Sequence, residues 1–139
     1  MDDATEALVA TFQSFGEGAL RDVWLFDQWT HQNLYLRADI ESQLSDLDVD
    51  AFIDNERYGY ITRDTYESLY ARDYDYTVRG FASSELFRTF FADDDTRIGV
   101  LAGFDRREGG YDFAALSAEL QTILDEYSVT ELVPTDDTE

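Results

Sequence analysis

Residues 19–27, ALRDVWLFD, constrain the fold more than any other stretch of this chain. Read as a strand, the segment turns Val23 and Leu25 to one side and Leu20, Trp24 and Phe26 to the other, because successive side chains of a strand alternate between faces. Both faces are apolar at the centre. A strand of that kind must be covered on both sides. The chain therefore needs a sheet with helices on both faces, and the rest of the sequence has to supply them.

It does so in a simple order. Residues 4–15 carry Ala4, Leu8, Phe12 and Phe15 at helical spacing, with Asp3 and Glu6 in a capping-box-like arrangement and Gly16 as a stop. After strand 19–27 and a DQWTHQ turn, NLYLRA (33–38) alternates Leu34 and Leu36 with Asn33, Tyr35 and Arg37. The middle of the chain is helical. One short segment runs from Asp39, and Asp48 caps a longer one holding Val49, Phe52, Ile53 and Tyr60. RDTYESLYA follows, with the continuity past Gly59 left open. Three strands come next, 74–82, 85–92 and 96–104, separated by SS and DDD, loops short enough for hairpins. A last helix, 112–127, is capped by Asp112 and presents Phe113, Leu116, Leu120, Ile123, Leu124 and Tyr127. The expectation is one α+β domain over residues 1–127, in the order α-β-β-α-β-β-β-α, with a five-stranded antiparallel sheet and an acidic, flexible tail over 128–139.

Charge limits what such a domain can bind. The 139 residues hold 31 Asp and Glu against 10 basic residues, all of them Arg, for a net charge of -21. In dilute salt this self-repulsion opposes compaction. Molar salt shortens the screening length to about 3 Å and removes most of that cost. An acidic, lysine-free chain is what a high-salt cytoplasm selects. It is also a poor partner for nucleic acid, whose phosphates need Lys and Arg to replace their counterions. There is no Cys, hence no disulfide and no thiolate site. The opening MDDATEALVATF has acids where a secretory signal needs bases, so the expected location is the cytoplasm. No stretch is long and apolar enough to span a bilayer.

The order of elements across residues 4–127 resembles that of the roadblock/profilin-like domains, a likeness that implies a scaffolding or sensory module. LYLRADI, DNERYGY and YTVRGF…ELFRTFF, followed by the terminal amphipathic helix, resemble a small haloarchaeal family of unknown function. That second resemblance implies a haloarchaeal cytoplasmic protein and brings no catalytic residues with it.

The candidate site begins with two arginines. If Ser83 and Ser84 form the turn of a hairpin, Arg79 and Arg88 stand directly opposite each other on one face, which is unfavourable unless an acid or an anion shares the site. Two readings follow. The pair is an Arg-anchored site for an external anion or a partner's carboxylate, or it is neutralised within the chain by acids such as Glu67, Asp73 or Glu85. The abundance of carboxylates favours the second. Arg37 and Arg97 also fall on expected strands. Six tyrosines, Tyr58, Tyr60, Tyr66, Tyr70, Tyr74 and Tyr76, crowd the centre of the chain. Tyr offers large amphipathic contact area at low entropic cost, so Tyr58, Tyr60 and Tyr66 join the two arginines as binding candidates.

Catalytic signals are weak. His31 is the only histidine and lies in a polar turn. Asp93–Asp95 lack the spacing of a calcium loop and read as a solvated turn. GEG (16–18) follows a helix, the reverse of a phosphate-binding loop. No metal or cofactor is expected. The functional expectation is a non-enzymatic module that self-associates or binds a protein. The alternative is a sensor for an anionic or aromatic small molecule.

Overall fold

The computed structural model describes residues 2–135. The expected order is present: α1 (Asp3–Gly16), β1 (Leu20–Phe26), β2 (His31–Leu36), α2 (Ala38–Leu44), α3 (Val49–Tyr70), β3 (Thr77–Gly80), β4 (Ser84–Ala92), β5 (Arg97–Asp105) and α4 (Phe113–Glu126). The five strands form one antiparallel sheet in the order β2-β1-β5-β4-β3. It is an α+β domain whose edges are β2 and β3.

Helices cover both faces, as the two-sided β1 demands, but unequally. α1 and α4 lie over one face and share much the larger core, in which Leu8, Phe12, Leu116 and Leu120 meet Val23, Leu25, Phe87, Val100 and Phe104. Burying each of these side chains contributes about 1.5–3 kcal/mol, so this layer holds most of the apolar stabilisation. The opposite layer is thin: Ile53 of α3 packs on Trp24, Phe26 and Leu101, with Phe52 and Phe90 at its margin. The caps follow side-chain chemistry. Asp48 and Asp112 each accept a hydrogen bond from a backbone N–H three residues on, as expected. At α1 the cap is Asp2 rather than Asp3, because its carboxylate reaches both the amide and the hydroxyl of Thr5.

Three local expectations change, and one point left open is decided. Leu20 sits with Val23 and Leu25 rather than with Trp24 and Phe26, because a bulge between Leu20 and Asp22 adds a residue and reverses the alternation. The β1–β2 turn is shorter than DQWTHQ, since His31 already pairs with Phe26. Asp27 closes it by accepting the backbone N–H of Trp29 and of Thr30. The segment past Gly59 continues without a break, making α3 a single 22-residue helix. The acidic tail expected to be flexible spans 128–139. Within it, Val129–Leu132 forms a 3-10 turn started by a capping box between Ser128 and Glu131, and Leu132 is fully buried in the α1/α4 core. Burying Leu132 and Val129 is what docks this segment. The remainder of the tail, 136–139, lies outside the described residues.

Far from α3, Arg37 ties the end of β2 to the end of β5. It pairs with Asp39 at 2.6 Å and with Asp105 at 2.6 Å, and Arg21 joins Asp105 at 2.9 Å. Hydrogen bonds from Arg37, then Arg21, hold the Asp105 carboxyl below the usual carboxylate range. The buried side of β1 does the opposite at Asp22, where burial raises the carboxyl despite hydrogen bonds from Trp24 Nε1 and the Gly103 amide.

Candidate functional site

The expected candidates gather around α3, which lies on the thin side of the sheet, and fall on two flanks of that helix. At about 100° per residue, Ile53 and Tyr60 point down to the sheet. Glu56 and Gly59 then lean toward β3 and β4, whereas Arg57 and Ile61 lean toward the β1–β2 turn. Hydrogen bonds confirm the division. Glu56 accepts from Arg79 of β3 and Arg88 of β4, and Arg57 donates to the carbonyls of Asp27 and Thr30 in the β1–β2 turn.

On the first flank Arg79 and Arg88 are not directly opposed. Arg88 faces Thr77, and Arg79 faces Leu86. The turn centres on Ala82 and Ser83, with the Phe81 amide donating to the Ser84 carbonyl. This differs from the expected register by two residues, so the side chains keep their face and meet diagonally. They share one carboxylate. Arg79 Nη2 lies 2.5 and 2.6 Å from the two oxygens of Glu56, and Arg88 Nη1 lies 2.9 Å from Oε1. Arg88 also donates to the Thr77 hydroxyl. The Glu56 and Arg88 side chains are 5% and 10% exposed, and Arg79 is 34% exposed. The neutralising acid is therefore intramolecular, but it is Glu56 and not Glu67, Asp73 or Glu85. Glu67 instead caps the Tyr74 amide.

Gly59 makes the triad possible. A Cβ there would stand 2.4 Å from Arg88 Cζ and Nη1, so the guanidinium occupies the space a side chain would need. Its carbon also lies 5.3 Å from the centre of the Phe90 ring. The two Nε groups of the arginines are buried without a partner. One carboxylate shared by two guanidiniums leaves a net charge of +1, and removing that carboxylate alone is costly because it strands a nearly buried cation.

The second flank is open. Tyr58, Tyr60 and Ile61 of α3, Phe90 of β4, Arg97 of β5 and Asp27 of the turn line a groove of about 440 Å³. Tyr60 lies edge-to-face on Phe90 at 5.2 Å and carries a guanidinium over its ring from Arg97 at 4.8 Å and from Arg63 at 5.3 Å. Arg57 is spent on Asp54, at 2.5 Å, and on the turn carbonyls. Arg97 is exposed and has no ion-pair partner among the described residues.

Of the five expected site residues, Tyr58 and Tyr60 thus meet in the groove, Arg79 and Arg88 meet in the closed triad, and Tyr66 belongs to neither. Tyr66 stacks between Tyr70 and Tyr74, at 6.0 and 5.8 Å, on the β3 side of α3. Glu56, Gly59, Ile61 and the free state of Arg97 were not singled out from sequence. One signal for Glu56 existed: it lies on the same helical stripe as Val49, Ile53 and Tyr60, where a carboxylate needs a cationic partner. Among the described residues no cluster of His, Asp and Glu could hold a metal ion, and no helix is long and apolar enough to cross a membrane.

Comparison with known proteins places this geometry. A family described as a domain of unknown function, DUF7522, matches residues 6–125. Among solved structures, Myxococcus xanthus MglB is similar with a TM-score of 0.58 at 14% sequence identity, over 99% of this chain and 98% of that one. At that identity the likeness is one of fold, and it agrees with the roadblock-like order of elements. No curated protein matches the chain by sequence.

Proposed function

The chain belongs to the DUF7522 family, whose description assigns no activity, and from its surface we propose that it is a non-enzymatic regulatory module that works by protein contact, first of all with a second copy of itself. The observation that carries this reading is the concentration of unpartnered contact area beside one sheet edge. β3 is a four-residue edge strand, and an exposed edge offers unpaired N–H and C=O groups to another strand. Next to it, Tyr66 and Tyr70 are 42% and 63% exposed and already stacked. Rigid, amphipathic rings of this kind are favoured anchors of interfaces. The likeness in fold to MglB supports the reading at the level of architecture. Composition supports a haloarchaeal, high-salt cytoplasmic setting, where the charge of -21 is screened.

Light scattering after size exclusion in about 2 M KCl tests it. The expected mass is twice the 16.0 kDa of one chain, and the double change Tyr66→Glu with Tyr70→Glu should return it to one. A wild-type monomer across accessible concentrations overturns self-association.

A second reading, a small-molecule sensor, has its own support in the groove beside Tyr60. For such a ligand Arg97 is the better anchor, because it faces the groove without a carboxylate partner, whereas Arg79 and Arg88 share Glu56.

A further inference from the structure

We propose that the groove between α3 and the β1–β2 turn binds a small aromatic carboxylate, with Arg97 pairing its charge and Tyr60, Ile61 and Phe90 holding its ring. The proposal deepens the sensor reading. It is independent of self-association, because the groove lies on the flank of α3 away from β3.

Size is the first argument. A groove of about 440 Å³ falls in the range of small-molecule sites. Its walls combine apolar and aromatic surface from Tyr60, Ile61, Phe90 and Ile98 with a polar margin of Asp27, Gln28, Asp54, Arg57 and Arg97. The floor is fixed. Gly99 leaves room for the Phe26 ring, which a Cβ would meet at 2.1 Å, so the sheet side of the groove is already packed and rigid. The turn side is rigid as well, because Asp27 takes two backbone N–H groups and Arg57 clamps the carbonyls of Asp27 and Thr30. A preformed site loses little freedom on binding.

Charge selects the ligand class. In a chain with 31 acids, six arginines are paired with carboxylates: Arg21, Arg37, Arg57, Arg63, Arg79 and Arg88. Arg72, Arg97, Arg106 and Arg107 have no carboxylate partner among the described residues, and of these four Arg97 is the one that lines the groove, although Asp93, Asp94 and Asp95 lie two to four positions before it. Asp93 instead accepts the amides of Asp95 and Thr96, which folds the acidic turn back on itself. Arg97 is held over the Tyr60 ring with its donors unclaimed by any carboxylate. A guanidinium presented in this way matches a planar carboxylate bidentately. The lining sets Arg57 and Arg97 against Asp27 and Asp54, a net charge of zero, so a ligand's single negative charge depends on direct pairing with Arg97. Asp27 and Asp54 on the rim, with Asp54 cancelled by Arg57, disfavour a dianion such as a phosphate monoester. The ring of the ligand then takes the apolar remainder of the groove. Short-range pairing joined to apolar burial is also the combination that survives molar salt, where long-range attraction is screened.

Calorimetric titration in about 2 M KCl tests this, with 2-naphthoate as the probe, 2-naphthylmethanol as its neutral isostere and 2-naphthyl phosphate as the dianion. Saturable binding of 2-naphthoate is expected. The alcohol, the phosphate and the Arg97→Ala protein should each bind at least about tenfold more weakly, since a charge-assisted pair is worth that much or more. Ile61→Glu is a second variant, at a residue 67% exposed, and should abolish binding by placing a carboxylate on the wall. Any of three results overturns the proposal: no saturable heat with the wild type up to about 10 mM, a range that detects even weak sites; equal binding of alcohol or phosphate; or unchanged binding in both variants. Light scattering on the same samples separates failure here from failure of self-association.

Discussion

Arg88 and Arg97 look alike in their immediate surroundings and differ in everything that follows. Each lies over an aromatic ring, Arg88 over Phe90 at 5.3 Å and Arg97 over Tyr60 at 4.8 Å, and the two rings touch at 5.2 Å. On the β3/β4 flank of α3, a buried Glu56 claims the guanidinium and Gly59 lets it come close. On the flank beside the β1–β2 turn no carboxylate does the same, and the arginine faces a groove. The difference shows that the role of an arginine is set by whether the fold brings an acid within reach, and not by the strand that carries it.

The comparison can be broken most severely at Glu56. Glu56→Ala strands two guanidiniums, one of them nearly buried, and should lower stability by about 3–5 kcal/mol, read from the urea midpoint in KCl. A loss below about 1 kcal/mol, the worth of a surface pair, would erase the distinction between the flanks. Gly59→Ala comes next. In an ordinary helix interior the change stabilises by about 0.5–1 kcal/mol, but here the new methyl meets Arg88 and should cost about 1–3 kcal/mol through overpacking. The sign alone decides whether this flank is closed. Asp27→Ala removes the acceptor of two turn amides and should cost about 1 kcal/mol, while loosening the wall of the groove; an unchanged midpoint would mean the turn is held from elsewhere. Arg97→Ala should change stability least, by no more than about 0.5 kcal/mol. A larger loss would make Arg97 a structural residue like Arg88.

How much of this was legible in the sequence depends on the range of the physics involved. Two-sided β1, the Asp48 and Asp112 caps and the hairpin order are local patterns, and they gave the class, the strand number and the helices on both faces. The same local reading erred at Leu20, because a bulge needs the neighbouring strand to be seen. It erred on the docking of Leu132, because that residue finds its partners across the α1/α4 core. At the candidate site, the shared face of Arg79 and Arg88 followed from alternation, which a two-residue slip in register preserves. Their counterion did not, because Glu56 lies 23 and 32 positions away and many other acids were available. Arg97 was visible as a strand arginine, yet its freedom is a property of the Asp93–Thr96 turn folding away from it.

The most direct measurement is a double-mutant cycle on Glu56 and Arg88, from urea denaturation of Glu56→Ala, Arg88→Ala and the two together in about 2 M KCl. If the closed flank is a structural ion triad, the double change costs at least about 1 kcal/mol less than the sum of the single ones, because the two side chains share one interaction. Strict additivity would mean that Glu56 does not hold Arg88, and would return that arginine to the surface as a candidate for binding.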